Sequence, residues 1–291
     1  MDRRKFLLSS LALSITPYAM KVNALQNIVS QWGNTPAMPV LFLGHGSPMN
    51  AIELNEFSRG WQQIGKSLPV PNAILCVSAH WETRGTFVTA MEKPRTIHDF
   101  GGFPQALFDV QYPAPGSPEL ALETSNIITQ TEVRLDENWG LDHGAWSVIK
   151  HLYPKAEIPV IQLSLDYGKS PREHYALAAE LAALRKKGVL IIGSGNIVHN
   201  LRIIDWKKPG TGYDWAVETD AKMRQWISEG NHQALIDYKK AGMAFEQSVP
   251  TPEHYLPLLY TLGLQGKNEA VSFFNTKTIM GSISMTSVKI G

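Results

Sequence analysis

Histidine is the residue type in this chain with the most chemistry to offer, and there are nine: His45, His80, His98, His143, His151, His174, His199, His232 and His254. Three of them stand just past short apolar runs of strand length. His45 follows Val40–Leu43 in Gly44-His45-Gly46-Ser47-Pro48, and His80 follows Ala73–Ala79. His199 comes after Val189–Ile192, in Gly193-Ser194-Gly195-Asn196-Ile197-Val198-His199-Asn200. In open α/β sheets the ligand crevice lies outside the carboxyl ends of the strands. Neighbouring strands are about 4.8 Å apart, so imidazoles leaving adjacent ends reach one ion. His254 lies in the Pro-rich segment Val249–Tyr255, where Thr251 is expected to cap a helix opening on Pro252. His143 lies in the loop Leu141-Asp142-His143-Gly144. Neutral imidazole suits Zn, Fe, Cu or Ni, whereas Mg and Ca prefer oxygen. Gly44, Gly46 and a Gly193-Ser194-Gly195 turn would leave the rings accessible. Asp142 and Glu253, each next to a histidine, are candidates to hold a second ring nitrogen. Trp81, beside His80, is the aromatic residue best placed to line a pocket.

The elements that must position these residues alternate. Strand-like runs occur at Val40–Leu43, Ala73–Ala79, Thr86–Ala90, Pro159–Leu165 and Val189–Ile192. Helical patterns occupy Leu54–Leu68, Pro118–Thr131, Gly144–Leu152, Pro171–Lys187 and Tyr213–Glu229. Ser170 reads as the cap of the helix opening on Pro171, with Gly188 closing it. Ala270–Asn275 and Ser282–Val288 read as a pair of late strands. The alternation gives an α/β sheet with helices on both faces, and no linker divides the chain, so one domain is expected.

With 27 basic against 26 acidic residues the chain has no global hold on a polyanion, which argues against nucleic acid as a partner. The single cysteine, Cys76, excludes an intrachain disulfide and cysteine-rich zinc modules. Residues 1–24 read as an export signal: Arg3-Arg4-Lys5, an apolar centre from Phe6 to Ile15, and a Val22-Asn23-Ala24 exit. The apolar centre is too short for a stable membrane anchor. The arginine pair resembles the twin-arginine signal, a route for folded proteins, which places the expected site of action in the periplasm. Residues 25–291 are then the catalytic domain, with a formal charge of −2.

Gly60-Trp61-Gln62-Gln63-Ile64-Gly65-Lys66-Ser67 matches the phosphate-loop pattern by letter. It lies inside a helical pattern instead of between a strand and a helix, so nucleotide binding is rejected. The third glycine of a dinucleotide fingerprint is missing after Gly193-Ser194-Gly195, where Val198 stands. Neither a serine-hydrolase elbow nor a His-Glu zinc-protease helix occurs.

Six motifs in order resemble one family. They are Gly44-His45-Gly46-Ser47-Pro48-Met49, Ser78-Ala79-His80-Trp81, Thr96-Ile97-His98-Asp99-Phe100, Tyr112-Pro113-Ala114-Pro115-Gly116, Gly140-Leu141-Asp142-His143-Gly144 and Pro252-Glu253-His254-Tyr255. Together they resemble the class III (LigB-type) extradiol ring-cleavage dioxygenases, in their DOPA 4,5-dioxygenase branch, over about residues 38–288. The resemblance implies a single α/β domain with a central mixed sheet and the metal at one end. It implies His45 and His80 as metal ligands, with His254 in the place of a third ligand that is a carboxylate in other members. His199 matches a further active-site histidine that ligates or transfers protons, and His143 faces the substrate. The implied cofactor is one divalent ion, Zn(II) or Fe(II), and the implied substrates are a small catechol such as DOPA and O₂. In this reading His45, His80 and His254 hold the metal, and His199 or His143 takes a catechol proton and later returns one. Two other readings stay open: a zinc hydrolase, and a non-catalytic periplasmic zinc-binding protein with a closed four-histidine shell.

Overall fold

The computed structural model describes residues 32–291; the expected export signal, residues 1–24, lies outside them. In chain order the strands are β1 (Val40–Gly44), β2 (Ala73–Thr83), β3 (Thr86–Thr89), β4 (Val133–Asp136), β5 (Val160–Asp166) and β6 (Val189–Gly195). β7 (Val271–Phe274), β8 (Thr278–Ile279), β9 (Ile283–Ser284) and β10 (Ser287–Ile290) follow. The longer helices are α1 (Glu56–Ser67), α2 (Pro118–Ile127), α3 (His143–Leu152), α4 (Pro171–Glu180), α5 (Asp214–Ser228) and α6 (Leu256–Gly263).

Eight strands make one mixed sheet in the order β4-β3-β5-β2-β6-β1-β10-β7, while β8 and β9 pair separately. The central four, β5, β2, β6 and β1, are parallel. β3 runs antiparallel to β5, and β10 runs antiparallel to both β1 and β7. Alternate side chains of the central strands enter opposite cores, as the two-residue period requires. Val40, Phe42, Leu75, Val77 and Ile191 pack with α2, α4, α5 and α6. Leu41, Leu43, Ile74, Cys76 and Ile192 pack with α1 and α3. The expected α/β sheet with helices on both faces is thus present, and because both faces are covered the central strands read as continuous apolar runs.

Several local expectations need correction. Gly193-Ser194-Gly195 is the end of β6, not a turn. Its glycines serve close approach: a Cβ on Gly195 would lie 2.1 Å from the His254 carbonyl oxygen, and one on Gly193 would lie 2.3 Å from that of Pro257. The helix after Ser170 does open with a capping box to Glu173, but it ends at Glu180, and a short helix Ala182–Arg185 precedes Gly188. Thr251 caps no helix, because α6 starts at Leu256 and the Thr251 hydroxyl donates to Glu253 instead. The late strand Ser282–Val288 is two strands, β9 and β10. The phosphate-loop lookalike forms most of α1, with Asn55 as its cap. Among the described residues no helix is long and apolar enough to cross a membrane.

Candidate metal centre

β1, β2 and β6 are neighbours, and the carboxyl-terminal ends of these parallel strands deliver the histidines to one rim. His45 is the first residue past β1, and its N–H donates to the Gly195 carbonyl at the end of β6 (3.1 Å). Gly46 then turns the chain with φ +61°, a conformation glycine adopts without strain. His80 sits within β2, where the pairing register with β5 slips between Val77 and Glu82. Such a bulge re-aims a side chain without ending the strand. His254 reaches the rim because its carbonyl accepts the N–H of Asn196, just past β6 (2.8 Å). His199 is tied by its N–H to the Ser248 carbonyl (2.9 Å) and by a bridge to Ile283 in β9. His143 is the first residue of α3, whose cap is Asp142.

The rings of His45, His80 and His254 form a near-equilateral triangle, with centroids 5.1, 5.2 and 5.0 Å apart. One potential ligand atom from each lies within 4.8 Å of the others. The Nε2 atoms of His45 and His80 are 3.2 Å apart. Two ligands about 2.1 Å from one ion are separated by roughly 3.0–3.4 Å in octahedral or tetrahedral geometry, so this spacing fits a shared cation.

The opposite nitrogens explain why the Nε2 lone pairs are available. Nδ1 of His45 lies 3.1 Å from the Ser194 hydroxyl, which itself donates to the Gly144 carbonyl (2.5 Å) and so accepts from the ring. Nδ1 of His254 lies 3.3 Å from the Glu253 carboxylate. Nδ1 of His80 lies 3.4 Å from Oδ2 of Asp99. Each acceptor favours the Nδ1–H tautomer, which leaves Nε2 as the donor to a metal. The same Asp99 oxygen lies 3.0 Å from Nδ1 of His143. That contact is close but off the N–H direction, and Nδ1 of His143 has no aligned hydrogen-bond acceptor. The other Asp99 oxygen accepts the backbone N–H of His143 (2.8 Å).

Electrostatics keep the imidazoles neutral. Burial, then repulsion from His80, His143 and His199, lowers the pKa of His45 well below the usual value. Burial and the other site histidines do the same for His254. Burial lowers that of His80, with repulsion from His143 adding to it and Asp99 opposing. Burial and His143 bring His199 down to about 4. Neutral imidazole is the form that ligates, so the donor set suits a borderline divalent ion.

One consequence concerns stability. A histidine whose folded pKa lies below its unfolded value near 6.5 binds fewer protons in the native state over that interval. Stability of the metal-free protein is therefore complete above about pH 6.5 and is lost as the pH falls toward the folded pKa values. His174 adds to the effect away from the site, since burial lowers it to about 4. Urea unfolding of the metal-free protein between pH 7.5 and 4.5 is expected to show a steadily falling midpoint. A flat profile would mean that these rings are not held neutral.

His45, His80, His143, His199 and His254 all line one cavity of about 520 Å³. Its walls include Phe100, Phe103, Ile204, Trp206 and Met280. Two sequence expectations fail here. Trp81 does not line it but is buried and stacked on Trp139, with ring centroids 5.7 Å apart. Asp142 holds no histidine ring: it caps α3 through the Ala145 N–H and receives the Ser78 hydroxyl and the Gln162 amide. Glu253 does meet His254 as considered. Asp99 and Ser194 were missed as ring partners; only the Ile97-His98-Asp99-Phe100 motif hinted at the former. His98 turns away, its Nε2 3.0 Å from the Val110 carbonyl.

The sequence pattern of the catalytic LigB subunit of aromatic ring-opening dioxygenases matches residues 38–287. The chain belongs to this family of metal-dependent extradiol dioxygenases. Its LigB relatives include the 4,5-DOPA dioxygenase extradiol of Escherichia coli (strain K12), 49% identical over 260 residues, covering 87% of this chain and 95% of that protein. The protein of the same name from Beta vulgaris is 35% identical over 255 residues, covering 85% and 94%. The crystal structure of an uncharacterized protein from Escherichia coli K12 superposes with a TM-score of 0.75 at 43% identity, covering 87% of this chain and all of that one. LigB-type membership gives the chain its chemistry, O₂-dependent opening of an aromatic ring.

Proposed function

We propose that this enzyme opens the ring of a catechol carrying a side chain, of which DOPA is the representative, at an Fe(II) held by His45, His80 and His254. The observation that supports this most is the triangle of the His45, His80 and His254 imidazoles, each with an oxygen 3.1–3.4 Å from its Nδ1. Fe(II) held there would supply the redox activity that ring opening with O₂ needs, which Zn(II) with its filled d shell would not. The names of the relatives from Escherichia coli and Beta vulgaris support the choice of DOPA.

The chain's own residues do the rest. Phe100 stands edge-on to His143, with ring centroids 5.5 Å apart, and with Phe103 it gives the cavity aromatic walls suited to a planar ring. His143 faces that space from the start of α3 and is placed to take a proton from a catechol hydroxyl and later return it. His199 stacks on His254 with centroids 3.5 Å apart and planes 9° apart. Stacked face to face, the two rings aim their edges along near-parallel planes and not at one point. We assign His199 to proton transfer, and its lowered pKa keeps it an acceptor near neutrality. A set of three protein ligands, His45, His80 and His254, would match the open catalytic class of metal site and not the closed four-ligand structural class.

Export by the twin-arginine route to the periplasm is part of the same proposal, supported by Arg3-Arg4 ahead of the apolar stretch. The test of function is anaerobic loading with Fe(II), then an oxygen electrode with DOPA. Uptake of one O₂ per DOPA with a new coloured product is expected. O₂-independent turnover with Zn(II), or four-coordinate zinc that binds no catechol, would replace the proposal with a hydrolase or a storage site.

A further inference from the structure

Asp99 stands at a junction that its neighbours' roles do not by themselves explain. It comes from the loop between β3 and α2, and its carboxylate touches two rings of the site, His80 at 3.4 Å and His143 at 3.0 Å, both through Oδ2 to Nδ1. Its Oδ1 is committed elsewhere, accepting the His143 backbone N–H (2.8 Å) at the start of α3. A carboxylate oxygen beside an unprotonated ring nitrogen sets two lone pairs against each other. Beside a protonated one it meets a positive hydrogen. That preference holds even where the N–H is not aimed straight at the oxygen, as at both rings here.

We propose that Asp99 is a positioning residue that sets the tautomer of both rings at once. It holds the proton on Nδ1 of His80 and of His143, so that Nε2 of His80 is left for the metal and Nε2 of His143 for proton transfer. The proposal rests on the reading of His80 as a ligand and His143 as a proton carrier.

The pinned Oδ1 makes the proposal testable through an unusual ordering. In Asp99→Asn the amide oxygen must stay on the His143 N–H, because an NH₂ group there would face a donor. The new NH₂ then occupies the place of Oδ2 and donates toward both Nδ1 atoms. Both rings are driven to the Nε2–H form, which blocks His80 as a ligand. In Asp99→Ala each ring is free to choose, and the metal can select the ligating tautomer. The near-isosteric asparagine should therefore do more harm than alanine, the reverse of what a space-filling or loop-tethering role gives.

Nitrogen-15 NMR of histidine-labelled, metal-free wild-type protein is expected to show the Nδ1–H form at His80 and His143; the Nε2–H form at either ring overturns the proposal without any variant having to fold. Titrations of the metal-free wild type, Asp99→Ala, Asp99→Asn and His80→Ala with Zn(II), and separately Co(II), supply the second arm. Asp99→Asn is expected to bind at least 10-fold more weakly than Asp99→Ala, within the roughly 10–100-fold reach of groups that orient ligands. Equal or tighter binding by Asp99→Asn overturns the tautomer role. Wild-type affinity in His80→Ala overturns the ligand reading itself, and the proposal with it.

Discussion

His254→Ala leaves the protein folded but unable to keep its metal, and turnover falls to background. His45→Ala does the same. Structural zinc sites gain about 10–16 kcal/mol from four ligands, so one ligand is worth roughly 3–4 kcal/mol, or about 100–1000-fold in affinity. The loss is large here because the remaining imidazoles have no substitute: the nearest other ring, His199, lies face to face with His254 and not in its plane. Removing the buried His254 ring also empties space beside that stack, so the thermal midpoint must be measured alongside the metal content. The control is His232→Ala, whose ring meets Tyr175 away from the site and whose loss should leave metal stoichiometry at one. Full metal occupancy in His254→Ala would remove this residue from the ligand set.

His143→Ala separates binding from chemistry. Metal content and affinity for the divalent ion are expected to stay near wild type, while kcat falls by about 10²–10⁴-fold, the usual worth of a positioned acid–base group. The geometry supports the split: the His143 ring packs 3.9 Å from that of His80 and edge-on to Phe100, inside the substrate cavity but outside the triangle of His45, His80 and His254. KM should change little, because the aromatic walls that hold the ring are untouched. Unchanged kcat would leave His199 as the sole proton carrier.

How much of this was legible depends on what the residues were signalling. His45, His80 and His199 could be grouped because strand ends converge in a parallel sheet, and periodicity marks strand ends well. His254 and His143 came with their motifs. The glycines of β6 misled, since glycine signals turns more often than it signals a carbonyl crossing at contact distance; only the folded position of Pro257 and His254 shows the difference. β4 escaped notice because Val133–Asp136 lies at the sheet edge, half exposed, without an apolar run. Asp142 looked like a histidine partner by adjacency, but capping α3 uses its carboxylate. Asp99 could not be placed from sequence, because its role arises where its loop meets the start of α3, some 40 residues later. Trp81 sits next to His80, and neighbours on a strand point to opposite faces, so the indole enters the core against Trp139.

Iron K-edge X-ray absorption of the anaerobically Fe(II)-loaded enzyme, before and after addition of catechol, addresses the shared ion most directly. Three imidazole nitrogens are expected on the metal in both states, with the remaining light-atom positions changing when catechol arrives. Four imidazoles in a shell that catechol leaves unaltered, or fewer than three, would contradict an open site built on His45, His80 and His254.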